Sequence, residues 1–364
     1  MRRVVCLLAL AGLGSAALPI PAAAQRPGRT AEAERVLSAL VERYGVSGAE
    51  GPVRDAVRTL LPSWARPETD SAGNLWVRAG QGDPLVVFVA HLDEIGFHVS
   101  AIRDDGTLAI APRGGFFPSL FEARPALVHT AGGVVPGVFT PRDSATGTRS
   151  PGGFRVDVGV TSRAAAASLG IKPGDTVTGV KRYRRLAGTR VTGRSLDDRV
   201  GCAALLLALR RLDPARLRHE VVFLFSVREE IGLEGARAAA DALGLRPARV
   251  HPVDTFVSAE TPVDPQAYAV APLGGGAIAR ALDNSSVTPP ALVDSLAALA
   301  RARGIPFQRG TTGGGNDGSA FAPFGVPDVP LGWPLRYSHS PAELADLRDV
   351  VALADLVQAV AEDW

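Results

Sequence analysis

The sequence contains an uninterrupted apolar run, Leu85-Val86-Val87-Phe88-Val89-Ala90, that ends directly at His91. A strand that is apolar on both faces lies inside a sheet with both faces covered, as parallel strands usually do. Further helical and strand patterns alternate after residue 195, with helices predicted at 200–212, 235–243, 291–303 and 347–361 and strands at 220–227 and 250–257. This alternation predicts an α/β fold whose mixed, mostly parallel sheet is flanked by helices.

The texture of the sequence changes between about residues 96 and 179. Short β-rich runs alternate there with Gly and Pro, and the only helical pattern spans 162–169. We interpret this segment as a small β-rich domain inserted into the α/β domain. The predicted organisation is a first catalytic segment at 25–96, an inserted domain at 97–183 and a second catalytic segment at 184–364.

The N-terminus has the pattern of a secretory signal peptide. Arg2 and Arg3 precede an apolar run from Val4 to Leu18, and small residues follow up to Ala24. We predict cleavage near Ala24, with a retained N-terminal anchor as the alternative. The expected location is outside the cytoplasm, either periplasmic or secreted. No other stretch is long and apolar enough to span a membrane.

Charge and cysteine content narrow the possible functions. The chain has 39 basic and 37 acidic side chains, and loss of Arg2 and Arg3 with the signal peptide balances the two. This charge balance does not imply an electrostatic field strong enough to bind nucleic acid. Cleavage would also leave Cys202 as the single cysteine, which excludes an intrachain disulfide.

Ionisable residues follow the buried strands at several points. His91 and Asp93 come at the end of the apolar run, and in an extended segment their side chains point to the same side. The Asp93 carboxylate can therefore accept one imidazole proton and leave the other nitrogen for a metal. The alternative is an ordinary pair of residues at a solvated strand end.

Three further places are chemically ambiguous when taken singly. Asp197 opens an apolar helix, so it is either an N-cap or a carboxylate that bridges two metals. Glu229 and Glu230 follow the strand at 220–227, either as a solvated turn or as a metal ligand beside a proton carrier. Asp254 interrupts an apolar strand and needs a buried partner, whereas His339 in a polar loop is uninformative alone.

The inventory of these places favours metal-dependent hydrolysis. Asp93 aside, they supply two His, two Asp and two Glu, which suits two zinc or cobalt ions and a free base better than a structural zinc site, which would need Cys. No G-x-S-x-G string occurs, so a serine nucleophile is disfavoured.

The order of the motifs resembles the glutamyl and tetrahedral aminopeptidase family of dinuclear metallopeptidases. The matching strings are A-H-L-D-E-I-G-F at 90–97, L-D-D-R-V-G at 196–201, E-E-I-G-L-E-G-A at 229–236, V-D at 253–254, G-G-N-D-G at 314–318 and R-Y-S-H-S-P at 336–341. They cover essentially the whole chain after the signal peptide. The sequence departs from the family pattern at Arg228, Glu234 and the run 122–125.

The resemblance implies roles for individual residues. One divalent ion would be held by His91, Asp197 and Asp254, and the other by Asp197, Glu230 and His339. Asp197 would bridge the two ions, Glu229 would be the general base, and Asp93 would orient His91. The implied fold is zinc-peptidase-like, and the inserted domain would mediate dimerisation within a homo-oligomer, from a dimer up to a dodecamer.

We therefore expect an exported, dinuclear metal-dependent aminopeptidase that acts on peptide substrates. A related dinuclear hydrolase that acts on N-acyl amino acids or carboxyl-terminal peptide bonds would use almost the same ligands. A non-catalytic peptide-binding module on a peptidase scaffold is a third possibility, because a fold alone does not guarantee activity.

Overall fold

The computed structural model describes residues 27–141, 154–244, 246–258 and 271–363, and the predicted signal peptide at 1–24 lies outside them. The helices are α1 (Pro27–Val41), α2 (Gly51–Leu60), α3 (Arg163–Ser168), α4 (Leu196–Arg211), α5 (Glu234–Leu243), α6 (Pro290–Ala302) and α7 (Leu347–Asp363). The strands are β1 (Glu68–Thr69), β2 (Leu75–Ala79), β3 (Leu85–His91), β4 (Gly96–Ile102), β5 (Leu108–Arg113), β6 (Pro125–Thr130), β7 (Gly133–Phe139), β8 (Arg155–Asp157), β9 (Thr176–Gly179), β10 (Arg184–Arg185), β11 (Arg190–Gly193), β12 (Val221–Ser226), β13 (Pro247–Val257), β14 (Ala277–Leu282), β15 (Phe307–Thr311), β16 (Leu331–Leu335) and β17 (Glu343–Asp346).

The central sheet has eight strands in the order β1-β2-β12-β3-β13-β16-β14-β15. Four of its seven pairings are parallel, namely β12 with β3, β3 with β13, β13 with β16 and β14 with β15. All seven residues of β3 are buried, as expected for a strand in mid-sheet. The predicted mixed, mostly parallel sheet is confirmed.

Helix α4 is the internal helix of the fold. Its residues from Leu196 to Leu209 are all buried, because it packs against β3 and β13 on one side and against α1 and α7 on the other. A helix that is apolar nearly all round needs such complete cover. Packing of α4 on the sheet also fixes the position of its N-terminus, from which Asp197 projects.

The inserted segment folds into a closed barrel in the order β4-β5-β8-β7-β6-β9. Its interior is filled by apolar side chains, with Phe97 in contact with Phe121 and Phe139 at ring-centroid distances of 5.4 and 5.3 Å. This confirms the predicted β-rich insertion. A separate three-stranded sheet, β10-β11-β17, joins the residues after the barrel to the segment before α7.

Among the described residues, none of the helices combines the length and the apolar character that crossing a bilayer would require.

Candidate metal centre

The predicted site residues converge because their strands end at the same edge of the sheet. Strands β3 and β12 are parallel neighbours, so His91 at the end of β3 lies beside the loop that carries Glu229 and Glu230 after β12. Asp254 belongs to β13, the parallel neighbour of β3 on the other side. The carboxyl ends of neighbouring parallel strands are a common place for a functional site.

Asp197 lies between two imidazoles. Its Oδ1 is 3.2 Å from Nε2 of His91, and its Oδ2 is 3.4 Å from Nε2 of His339. Each carboxylate oxygen therefore faces a different histidine. Asp198, joined to Asp197 by a cis peptide bond, accepts a hydrogen bond from the Gly201 amide instead. Asp198, not Asp197, thus satisfies the helix-end amide, and the N-cap alternative for Asp197 is not what the structure shows.

The remaining predicted ligands complete two adjoining groups. His91, Asp197 and Asp254 offer ligand atoms that all lie within 4.8 Å of one another, and so do His91, Glu229 and Glu230. Glu230 Oε1 also lies 3.2 Å from Nε2 of His339. These six residues, from here on the pocket cluster, line one cavity of about 420 Å³.

Both histidines are held in an orientation that suits metal binding. Nδ1 of His339 lies 2.6 Å from the Gly115 carbonyl, which can only accept a hydrogen bond, so Nδ1 is the donor. In the neutral ring that would bind a metal, Nε2 is therefore the unprotonated nitrogen, and it faces Asp197 and Glu230. Nδ1 of His91 lies 3.4 Å from Oδ1 of Asp93, which leaves Nε2 facing Asp197 in the same way. A carboxylate or carbonyl behind the imidazole is the usual support of a histidine ligand.

The electrostatics of the pocket cluster also fit a cation. Oε1 of Glu230 is buried and faces Nε2 of His339 at 3.2 Å. Burial raises the pKa of Asp254 to about 6, and burial with repulsion from Glu230 holds the pKa of Glu229 well above its usual range. Burial lowers the pKa of His339, but the Glu230 and Asp197 carboxylates outweigh it and raise that pKa. Nitrogen and oxygen donors around uncompensated negative charge suit a borderline divalent ion such as zinc or cobalt.

Asp93 lies behind the cluster and connects two of its segments. Its Oδ1 accepts the Glu229 amide at 3.0 Å, and its Oδ2 accepts the Glu230 amide at 3.1 Å and the Ser47 hydroxyl at 2.6 Å. Burial opposes ionisation, but contact with His91 and these donors hold the pKa of Asp93 below its ordinary value. Asp93 is thereby fixed as an anion that contacts His91 and anchors the Glu229 loop.

Two positioning residues were missed in the sequence. Glu343 accepts the amide of His339 at 2.9 Å and the amide of Asp197 at 3.3 Å, so it ties together the segments that carry two predicted ligands. Burial and the nearby Asp197 carboxylate raise the pKa of Glu343 to about 8. Arg280 from β14 reaches Asp254 Oδ2 at 3.4 Å. Neither residue belongs to a recognisable motif, and only their complete burial marks them.

Comparison with known proteins places this geometry in a family. The model of the M42 glutamyl aminopeptidase family matches residues 73–356. The lysyl aminopeptidase of Pyrococcus furiosus is 32% identical over 90% of this chain and 96% of its own length. The glutamyl aminopeptidase of Lactococcus lactis is 28% identical over 89% of this chain and 94% of its own.

A solved structure supports the same assignment. The TET1 peptidase of Pyrococcus horikoshii, described as assembling into a tetrahedron or a large octahedral shell, has a TM-score of 0.83 and 32% identity. The alignment covers 91% of this chain and all of that chain. Because the family model covers more than half of the sequence and both barrel and sheet match, the chain belongs to the M42 glutamyl aminopeptidase family and is a metallo-aminopeptidase.

Proposed function

We propose that the pocket cluster holds two divalent ions, zinc or cobalt, and removes N-terminal residues from peptides. His91, Asp197 and Asp254 would hold one ion, and Asp197, Glu230 and His339 the other. The observation that carries this assignment is the position of Asp197, whose two oxygens face the two imidazoles at 3.2 and 3.4 Å. A bridging carboxylate of this kind is a common element of dinuclear sites.

Glu229 is the residue best placed to move protons. It lines the cavity beside the ligands but belongs to neither proposed ligand set, and Asp93 holds its backbone amide. Bound divalent ions would supply the electrophile that polarises the scissile carbonyl and acidifies a water. Glu229 would take the proton of the attacking water and deliver it to the departing amine.

We infer a preference for a free N-terminus. An unblocked α-amine could offer its nitrogen lone pair to a divalent ion held in the cavity, whereas the nitrogen of an N-acyl group has no lone pair available for binding. This favours an aminopeptidase over a hydrolase of N-acyl amino acids.

The test is hydrolysis of aminoacyl amides by the purified protein before and after chelation. We expect chelation to abolish hydrolysis, zinc or cobalt to restore it, and N-acetylated versions of the same amides to be resistant. Metal analysis should find two ions per chain. Equal rates on free and N-acetylated substrates would favour the alternative hydrolase, and binding without turnover would favour a non-catalytic module.

We also propose that the barrel domain at 97–183 mediates homo-oligomerisation. Its surface exposes Phe117, Val134 and Val138, with 77%, 54% and 48% of their area accessible. Exposed apolar groups of this size are typical of association sites, and the Pyrococcus horikoshii relative forms shells. Light scattering should give the mass of an oligomer, and Phe117→Ser with Val134→Ser should reduce it.

We propose, finally, that residues 1–24 direct export. This rests on the sequence pattern alone. Cell fractionation and N-terminal sequencing of the mature protein test it, and a cytoplasmic protein that retains Met1 or Arg2 would contradict it.

A further inference from the structure

The cavity has a second end that the proposed chemistry does not use. Beyond the pocket cluster and Ser338, which contacts Asp197, the described residues that line it are Thr255, Val257, Arg280 and the glycine loop 313–315. If the α-amine and the scissile bond occupy the acid and histidine end, the side chain of the N-terminal residue has to lie at this second end. The composition of that wall therefore bears on which substrates the enzyme accepts.

Arg280 is the single charged residue among the described residues of that wall, and both terminal nitrogens of its guanidinium have partners. Nη1 donates to the Thr255 carbonyl at 3.0 Å and lies 3.4 Å from Asp254. Nη2 donates to the Gly315 carbonyl at 2.9 Å and lies 3.1 Å from Oδ2 of Asp283. The side chain is 1% exposed.

Asp283 is the partner that neutralises Arg280 independently of the metal centre. Its side chain is buried, and its Oδ1 is held by the amides of Ser285 and Ser286 at 2.8 Å each. Asn316 donates to its Oδ2 at 2.8 Å. Even when Asp254 is engaged by an ion, Arg280 therefore remains paired with a fixed anion.

We propose that the Arg280–Asp283 pair is the specificity-determining element of this enzyme and selects neutral N-terminal side chains. The inference rests on the proposed aminopeptidase function and names its substrate class. The paired guanidinium closes the wall through the Thr255 and Gly315 carbonyls but presents no net charge, while Val257 and the glycine loop provide apolar contact and space. An acidic or basic side chain would lose hydration there without gaining a partner.

The relatives show that this preference is not fixed by the family. One is named a glutamyl and the other a lysyl aminopeptidase. Opposite charge preferences within one fold require determinants that belong to the individual chain, such as the state of Arg280.

The experiment compares kcat and KM for coumarin amides of leucine, glutamate and lysine with the metal-loaded enzyme. The wild type should prefer leucine over both charged substrates by at least about tenfold in kcat/KM. Asp283→Asn frees the Arg280 charge and should shift the Glu-to-Leu ratio upward by about tenfold, whereas Arg280→Gln leaves Asp283 unpaired and should raise the Lys-to-Leu ratio instead. The double variant should return to the neutral preference.

Matched controls are Asp294→Asn and Arg309→Gln, which break an exposed pair of the same chemistry at 2.9 Å. They should leave all three ratios unchanged. Calorimetric titration of leucine amide and of glutamic acid α-amide into each variant in the Glu229→Gln background gives the same comparison without turnover.

A wild type that prefers glutamate, and loses that preference in Arg280→Gln, would overturn the inference while leaving the aminopeptidase function intact. Unchanged ratios in Arg280→Gln would also overturn it, even if Asp283→Asn fails to fold. Failure of the wild type to hydrolyse any of the three amides would instead reject the proposed function, and the inference with it.

Discussion

Asp93 and Glu94 are adjacent and equally charged, but their carboxylates enter two buried clusters of opposite character. Asp93 faces His91 and the pocket cluster, in which carboxylates outnumber cationic partners. Glu94 enters the ion-pair cluster, formed with Lys181, Arg194 and Arg199. Its distances to the two arginines are 3.0 Å, and all four side chains are at most 1% exposed.

The two clusters differ in whether the chain supplies partners for its buried charges, and this difference distinguishes a structural charge from a functional one. In the ion-pair cluster the chain supplies its own partners: Arg199 also donates to the Leu92 and Asp93 carbonyls, and Arg194 to the Ile95 carbonyl. Burial alone would raise the pKa of Glu94, but Arg194, Lys181 and Arg199 hold it far below its ordinary value. The pocket cluster borders a cavity, and Arg280, at 3.4 Å from Asp254, is the single Arg or Lys that the described residues pair with its four carboxylates. The remaining negative charge therefore calls for a cation from solution.

Among substitutions in the two clusters, Glu229→Gln should have the largest effect. The amide keeps the shape of the side chain but cannot carry the proton, so we expect kcat to fall by up to about 10⁴-fold. Elemental analysis should still find two ions per chain. Glu220→Gln, at a surface carboxylate paired with Arg78 and Arg246, is the matched control. Activity close to that of the wild type would remove Glu229 from the proton-transfer role.

Glu94→Gln should lower the stability of the fold, whereas Glu229→Gln should lower kcat. The substitution leaves three buried cationic groups without their anion, and we expect the free energy of unfolding to fall by about 3–5 kcal/mol. Urea denaturation measures the change, and Glu220→Gln should cost about 1 kcal/mol or less. If Glu94→Gln and Glu220→Gln lower the free energy of unfolding equally, the ion-pair cluster is not a closed structural unit.

Zinc should stabilise the folded chain through the pocket cluster alone. At a free concentration of one hundred times its Kd, zinc should raise the free energy of unfolding by about 2.7 kcal/mol per site. Urea denaturation of the metal-free protein with and without zinc gives this difference. Glu94→Gln should retain the increment, and Asp197→Asn should lose it. A full increment in Asp197→Asn would contradict its bridging position.

The smallest effect concerns the pH dependence of the metal-free protein. The folded-state pKa of Asp254 is raised to about 6, above the value of about 3.9 for an unfolded chain. The folded chain therefore binds this proton more tightly. The resulting stability is fully present below about pH 4 and is lost as the pH rises from about 4 through about 6. Relative to Asp254→Asn, the wild type should gain about 1.4 kcal/mol between pH 7 and pH 5. If the free energy of unfolding depends on pH in the same way in both proteins, the pKa of Asp254 is not raised in the folded state.

Much of the fold could be predicted because its strongest signals are local. The apolar run of β3 predicted a mid-sheet strand and thereby the position of His91. Strand β16 could not be predicted, because Leu331-Gly332-Trp333-Pro334-Leu335 contains Gly and Pro, which usually mark loops. It forms because β13 and β14 offer partners on both sides, which is information from the tertiary structure.

The same distinction between local and tertiary information applies to the site. The candidate carboxylates and imidazoles could be recognised from the residues themselves, whereas their grouping came from the family resemblance. His339 had no local signal, because its place beside Asp197 depends on Glu343 and Gly115, which are distant from Asp197 in the chain. Arg280 was missed because a single arginine in a short strand resembles a surface residue until its partners Asp254 and Asp283 are seen.

The hydrogen bond from His339 to the Gly115 carbonyl has a consequence for whether the two domains can be separated. Gly115 follows β5 of the inserted barrel, so a segment of the barrel steadies an imidazole from the C-terminal part of the chain. Deleting the barrel and splicing its ends would leave the ring free to rotate about its side-chain bonds. The proposed centre thus depends on both domains, although its acids and its other histidine all come from the α/β domain.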